Sequence, residues 1–150
     1  MPLESGSEEY HNSEKYQIRD WHLDRSDSLR GLIANVNRIR RDNPALHDDW
    51  RLSFHPVDND QIVCYSKTTA DLSNVILVAV NLDPRNVQSG WVDLALGELG
   101  IVTPPFAVED LLTGARYTWN GPRNYLALRP HEIPAHVFRV VPGSRISDSA

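Results

Sequence analysis

Between Trp50 and Val141 the chain is cut into eight short β-like runs, none long enough to fold by itself. They are Trp50–His55, Gln61–Thr68, Asn74–Leu82, Gly90–Leu96, Ala107–Leu111, Arg116–Trp119, Asn124–Arg129 and Ala135–Val141. Turn-forming clusters separate several of them: Asp58-Asn59-Asp60, Asp83-Pro84-Arg85, Pro104-Pro105, Thr113-Gly114 and Asn120-Gly121-Pro122. In such turns Asn and Asp bond their own backbone, Pro pre-sets φ and Gly accepts a positive φ. Short strands at this spacing pair with their neighbours and must then bury one apolar face. They predict an antiparallel β-sandwich, a mainly β fold. In Gly90–Leu96 the residues Val92, Leu94 and Leu96 alternate with Trp91, Asp93 and Ala95, the period of a strand. From Val75 to Leu82 both faces are apolar apart from Asn81. That run is predicted to be the central strand, covered from both sides.

Ahead of this region the period changes. Leu29, Leu32, Ile33, Val36 and Ile39 form one apolar stripe at helical spacing, which predicts an amphipathic helix over 26–43. Ser26 or Asp27 is placed to cap its start. Arg38, Arg40 and Arg41 suit the negative end of the helix dipole. Pro44 disfavours helical geometry at Asn43 and sets the stop. A helix with one apolar face must pack on something, either the following sheet or a part of the protein outside these residues. Residues 1–24 are polar and without hydrophobic period, and the small polar residues from Ser144 to Ala150 are expected to fray.

Composition narrows the function classes. At 150 residues the chain is one ordinary domain, or a small domain with an appendage. A net charge of −5 argues against nucleic acid as a partner, since phosphate neutralisation needs clustered Lys and Arg. A single cysteine, Cys64, rules out an intrachain disulfide and fits a reducing, cytoplasmic setting. The longest apolar stretch, Val75–Val80, is too short to span a membrane. The acidic N-terminus lacks the pattern of a signal peptide. Met1-Pro2-Leu3 reads as a boundary introduced into a longer chain rather than a natural start.

Several stretches together resemble a known family. Leu29–Leu46 (LRGLIANVNRIRRDNPAL) is similar to the last barrel helix of α-amylase superfamily enzymes. The run Ile76–Asp83 (ILVAVNLD) and the run Val108–Trp119 (VEDLLTGARYTW) resemble their C-terminal β-sandwich. The segment Gly6–Gln17 (GSEEYHNSEKYQ), continued by Arg19-Asp20-Trp21, resembles a motif of the α-1,4-glucan:maltose-1-phosphate maltosyltransferases. The likeness runs from about Gly6 to Val141. At His11 and Asn12 the sequence departs from the family pattern, which has a large aliphatic residue followed by Asp.

The resemblance implies a division into residues 1–46, the end of a (β/α)8 catalytic barrel with its last helix, residues 47–142, the sandwich, and a disordered tail over 143–150. It implies a retaining transfer of maltosyl units from maltose 1-phosphate onto an α-1,4-glucan, by a complete enzyme that is a homodimer. It assigns Lys15 and Tyr16 to substrate binding, as contacts to the maltosyl donor. An ammonium can donate to sugar hydroxyls, and a phenol offers a ring face and a polar tip. Without the barrel that supports them, the two are expected not to be preorganised.

Retaining chemistry needs two carboxyl groups roughly 5–5.5 Å apart. The family carries them on barrel strands that precede this motif. The pairs available here are Glu8/Glu9, Asp48/Asp49, Asp58/Asp60 and Glu109/Asp110. Neighbours on a strand point to opposite faces, so Glu109 and Asp110 cannot serve one sugar. The others lie in turns or polar segments, where nothing raises one pKa for acid catalysis. No catalytic residue is expected in this chain. No cofactor or metal is expected either, because His131 and His136 lack the partners and spacing of a zinc site. Cys64, between Val63 and Tyr65, reads as a small buried hydrophobe.

Trp50, Trp91 and Trp119 lie in or beside strands, near Tyr117 and Tyr125. They are expected to fill the core or cover the helix, since Trp is largely buried in most proteins. Exposed, they would stack on glucan rings. Three functions therefore stand side by side: the non-catalytic C-terminal part of a maltosyltransferase, a free-standing glucan-binding sandwich, or a structural or oligomerising domain. In the first, the face of Leu29, Leu32, Ile33, Val36 and Ile39 takes the barrel or a second copy as its partner.

Overall fold

The computed structural model describes residues 22–141. The described residues divide after Gly31 into two units. In the described part of the first, Arg25 pairs with Asp27 through two short contacts, at 2.8 and 2.7 Å, and Ser28 N–H donates to Arg25 O. These contacts hold Ser26 and Asp27 in a turn. Helix α1 therefore runs from Arg30 to Asp42 rather than from 26, and Ser28 Oγ accepts the Arg30 N–H in their place.

At its other end α1 stops one residue before Asn43-Pro44, and a 3-10 turn follows over Pro44–Leu46. Asn43 Nδ2 donates to Ile39 O at 2.8 Å, satisfying one of the carbonyls a helix leaves open. Asn43 Oδ1 in turn accepts from Asn74 Nδ2, while Asn74 Oδ1 accepts the Ala45 N–H. This amide pair, with Asn43 buried and Asn74 partly so, ties the end of α1 to the sheet. Of the predicted stripe only Ile39 is buried; Leu29, Leu32, Ile33 and Val36 are about half exposed or more. The helix is held at its last turn, and the sheet beneath is already covered by Ala45 and Leu46 of the 3-10 turn.

The remainder is the predicted antiparallel sandwich, with all eight strands present. They are β1 (Leu52–His55), β2 (Ile62–Thr68), β3 (Val75–Asn81), β4 (Gln88–Asp93), β5 (Phe106–Asp110), β6 (Arg116–Trp119), β7 (Arg123–Leu128) and β8 (Ala135–Val141). Six strands form one sheet in the order β1-β2-β3-β8-β5-β6, every pair antiparallel. The second layer is a two-stranded ribbon, β4 with β7. Between them lies the main core, in which Leu77, Val108 and Phe138 of the large sheet meet Val92, Leu126 and Leu128 of the ribbon.

β3 is an interior strand and is buried on both faces, as its apolar run predicts. Val75, Leu77 and Ala79 point into the main core. Ile76 and Val78 point the other way, into a smaller cluster with Ala45, Leu46, Tyr65, Val80, Leu111 and Val137. Asn81, the one polar residue of the run, donates to Asn86 O and Leu128 O and so links β3 to the ribbon. Among the described residues no buried side-chain polar atom lacks a hydrogen-bond partner. None of the described helices is long and apolar enough to cross a membrane.

Two truncations should separate the covered strand from the uncovered helix face. Leu77→Ala, at a fully buried position, should cost about 2–5 kcal/mol through lost transfer free energy and a residual cavity. Leu32→Ala should change stability by under about 0.5 kcal/mol in this chain. The denaturant midpoints of the two variants check both.

Candidate functional site

Lys15 and Tyr16, together with Glu8 and Glu9, lie outside the described residues. The remaining candidate carboxylates, Asp60 apart, are each committed to a local partner. Asp48 accepts the Trp50 N–H, and Asp49 pairs with Lys67 Nζ at 2.7 Å on the surface. Glu109 and Asp110 do face opposite ways. Glu109, on the outer face, binds Arg139 at 2.8 Å with Arg116 at 3.9 Å. Asp60 is exposed.

Asp110 is fully buried and holds together a turn and two strands. Its Oδ1 accepts the Leu112 and Val137 N–H groups, and its Oδ2 accepts from Thr113 Oγ1 at 2.9 Å and pairs with His136 Nδ1 at 2.9 Å. Gly114, with φ of 80°, completes the turn by donating to Asp110 O. Burial pushes the Asp110 carboxyl up, but the hydrogen bonds from His136, Leu112 and Thr113 and the nearby imidazole outweigh it, and the net shift is downward. The His136 ring stacks on Phe138 with centroids 4.7 Å apart. His131, by contrast, is exposed, so the two histidines share no site. Among the described residues no cluster of three or more His, Cys, Asp or Glu is placed to hold a metal ion.

A second buried pair joins His55 Nε2 and Ser66 Oγ at 2.9 Å. A hydroxyl beside an imidazole has the form of a nucleophile and its base, but both residues are buried, so no substrate reaches them. Burial pushes the His55 imidazole below the usual histidine range, more than Glu98 raises it. Cys64 is buried as expected, and burial pushes its thiol up to about 12, far from thiolate chemistry.

The tryptophans divide. Trp119 packs against the main core, edge-to-face with Phe106 and Phe138, as expected. The core assignment fails for Trp50, which is 92% exposed, and for Trp91, which is 44% exposed. Trp50 precedes β1, and Trp91 sits at an outward position of the ribbon. There it lies directly opposite Tyr125, with ring centroids 5.4 Å apart at 61°. The Arg123 guanidinium lies 5.8 Å from the Trp91 ring centroid and contacts both Asp58 and Asp93. Asp58 accepts the Trp91 N–H at 2.6 Å and donates its own N–H to Trp91 O. Gly90 makes this clamp possible, because a Cβ there would meet Asp58 Oδ1 at 2.8 Å. Tyr125 stands more than thirty residues from Trp91 in the chain, so only strand register brings the two rings together.

Loss of the buried polar pairs should appear in stability. Asp110→Ala should cost about 3–5 kcal/mol, since it leaves His136 and two strand-and-turn N–H groups without their acceptor. Both buried groups make the fold acid-sensitive. His55, lowered in the folded state, contributes stability that is complete above its unfolded pKa of about 6.5 and is lost as pH falls through the folded value. Asp110, also lowered, adds a second loss below about pH 3.9. A denaturation series against pH checks this: His55→Gln should flatten the upper limb and leave the lower one.

Comparison with known proteins places this fold. Residues 54–140 match the family model described as "GLGE, C-terminal". The chain is 46% identical over 142 residues to the α-1,4-glucan:maltose-1-phosphate maltosyltransferase of Chlorobaculum tepidum, covering 90% of this chain and 21% of that protein. It is 45% identical over 150 residues to the enzyme of the same name from Corynebacterium glutamicum, covering 95% of this chain and 22% of that one. The chain thus spans about a fifth of the length of the curated relatives it matches. Among solved structures, an Anoxybacillus α-amylase superposes with a TM-score of 0.52 at 17% identity, over 80% of this chain and 24% of that one, a likeness of fold. The antiparallel sandwich, the helix ahead of it and the family match over most of the sandwich agree, and the chain belongs to the GLGE, C-terminal family.

Proposed function

We propose that the chain serves as the C-terminal part of a maltosyltransferase. The complete enzyme moves maltosyl units from maltose 1-phosphate onto the non-reducing end of an α-1,4-glucan with retention, as a step in building glycogen-like polymer. The observation that carries this reading is the identity of 46% with a named maltosyltransferase over nearly the whole chain. On this reading residues 1–46 complete the catalytic barrel, residues 47–142 brace it, and the enzyme is a cytoplasmic homodimer. Lys15 and Tyr16 hold the maltosyl donor from one side.

The chain is non-catalytic alone. Two carboxyl groups must face one sugar, and each buried or bonded candidate among the described residues serves the fold instead. Asp110 organises a turn, Glu109 neutralises two arginines and Asp58 clamps Trp91. The half-exposed stripe of Leu32, Ile33 and Val36 supports the same view, since contiguous apolar surface marks a partner site. Leu52 and Phe54 of β1 add a second exposed apolar area. The barrel is the partner that suits the helix stripe, and a second copy of the chain is the other candidate.

Coexpression with the catalytic part of the Chlorobaculum tepidum enzyme, truncated before the region matched here, provides the test. Phosphate release from maltose 1-phosphate should appear in the mixture and be absent from either part alone. It should fall at least tenfold with Lys15→Ala/Tyr16→Ala. Turnover by this chain alone would overturn the reading, and undiminished complementation by the double variant would remove the donor role of those two residues.

A further inference from the structure

We propose that the outward face of the β4–β7 ribbon is a separate glucan-binding surface, with Trp91 and Tyr125 receiving the sugar rings of an α-1,4-linked chain and Asp93 and Arg123 holding its hydroxyls. The identity of the sugar rests on the maltosyltransferase reading; the existence of the surface rests on the geometry.

Alternation along the ribbon sends Val92, Leu126 and Leu128 into the core and leaves Ser89, Trp91, Asp93, Arg123, Tyr125 and Ala127 outside. Two large aromatic rings are thus kept in water one residue away from fully buried aliphatic ones. The same ribbon offers positions where they would be covered. Pyranose rings present an apolar C–H face edged by hydroxyls. Their receptors need an aromatic face with hydrogen-bonding groups beside it, and Trp and Tyr supply such amphipathic surface at low entropic cost.

The backbone beneath the two rings is fixed. Strand pairing sets Trp91 opposite Tyr125, and Asp58 fixes both backbone polar atoms of Trp91. Arg123 is held between Asp58 and Asp93 and, with five N–H donors, keeps some free for a ligand. Groups positioned before binding lose little freedom when a ligand arrives.

The occupant follows from the chemistry. The two rings are set among Asp58, Asp93 and Arg123, whereas the centre of a protein–protein interface is depleted of charge. A nucleic acid needs clustered cations, whereas Arg123 stands between two carboxylates. The two rings meet edge to face, with 61° between their planes, so they do not form one flat platform. An α-1,4-glucan curves and presents successive sugars at different tilts, whereas a β-1,4-glucan is flat.

The 150-residue chain should be titrated with maltoheptaose while its indole N–H resonances are followed by heteronuclear NMR. The Trp91 resonance should shift saturably at millimolar sugar, and that of Trp50 should not move. Trp91→Ala/Tyr125→Ala should weaken binding at least tenfold, and cellohexaose should bind at least tenfold more weakly than maltoheptaose. An unmoved Trp91 resonance, a shift centred on Trp50, or equal affinity for cellohexaose would overturn the proposal. Mapping on the unmodified chain decides the matter even where the double variant fails to fold. Complementation of the truncated relative is scored separately. Complementation with a flat titration sinks only this surface, and glucan binding without complementation sinks only the enzyme reading.

Discussion

One strand carries the fold. β3 is apolar on both sides, and it is stable only where something covers each side. The ribbon, across the main core, covers one; the 3-10 turn after α1, with its Ala45 and Leu46, covers the other. Neither cover is large. A two-stranded ribbon is marginal alone in water, and a three-residue turn has no stability of its own. Each exists because β3 and its neighbours give it apolar surface to lie on, and β3 is buried because they do. Their mutual dependence is the reason a fold of eight short strands behaves as one body.

Polar groups then fix the arrangement that apolar burial leaves loose. Hydrophobic contact is non-directional, but the amide pair Asn43–Asn74 permits one placement of the helix end. Asp110 joins the β5–β6 turn to β8 through four acceptor contacts, and Asn81 joins β3 to β7. Each is wholly or partly buried and satisfied, and a partly satisfied version would cost more than an apolar replacement. Register is written in these side chains as much as in the strand pattern.

Much of the architecture was legible in the chain. Turn residues cut the strands at nearly their observed ends, and the double-sided apolar run identified the interior strand. The helix start was misread because Arg25 and Asp27 form a local ion pair that holds the first capping candidates in a turn. Trp50 and Trp91 were misread for a different reason. Burial depends on which face of a strand has a second layer over it. The β4–β7 ribbon has nothing outside it among the described residues, so alternation alone could not tell inside from outside for Trp91. The pairing of Trp91 with Tyr125 was beyond reach too, since register between distant strands is set by tertiary packing. Lys15 and Tyr16 came from resemblance alone.

The two outermost strands of the large sheet, β1 and β6, have four residues each. A sheet margin exposes unpaired N–H and C=O groups that another chain can zip onto, and short margins give such a zipper little to hold. Lateral growth into fibrils is therefore disfavoured at both ends. A sheet built this way guards itself against zippering by being poor at its rims.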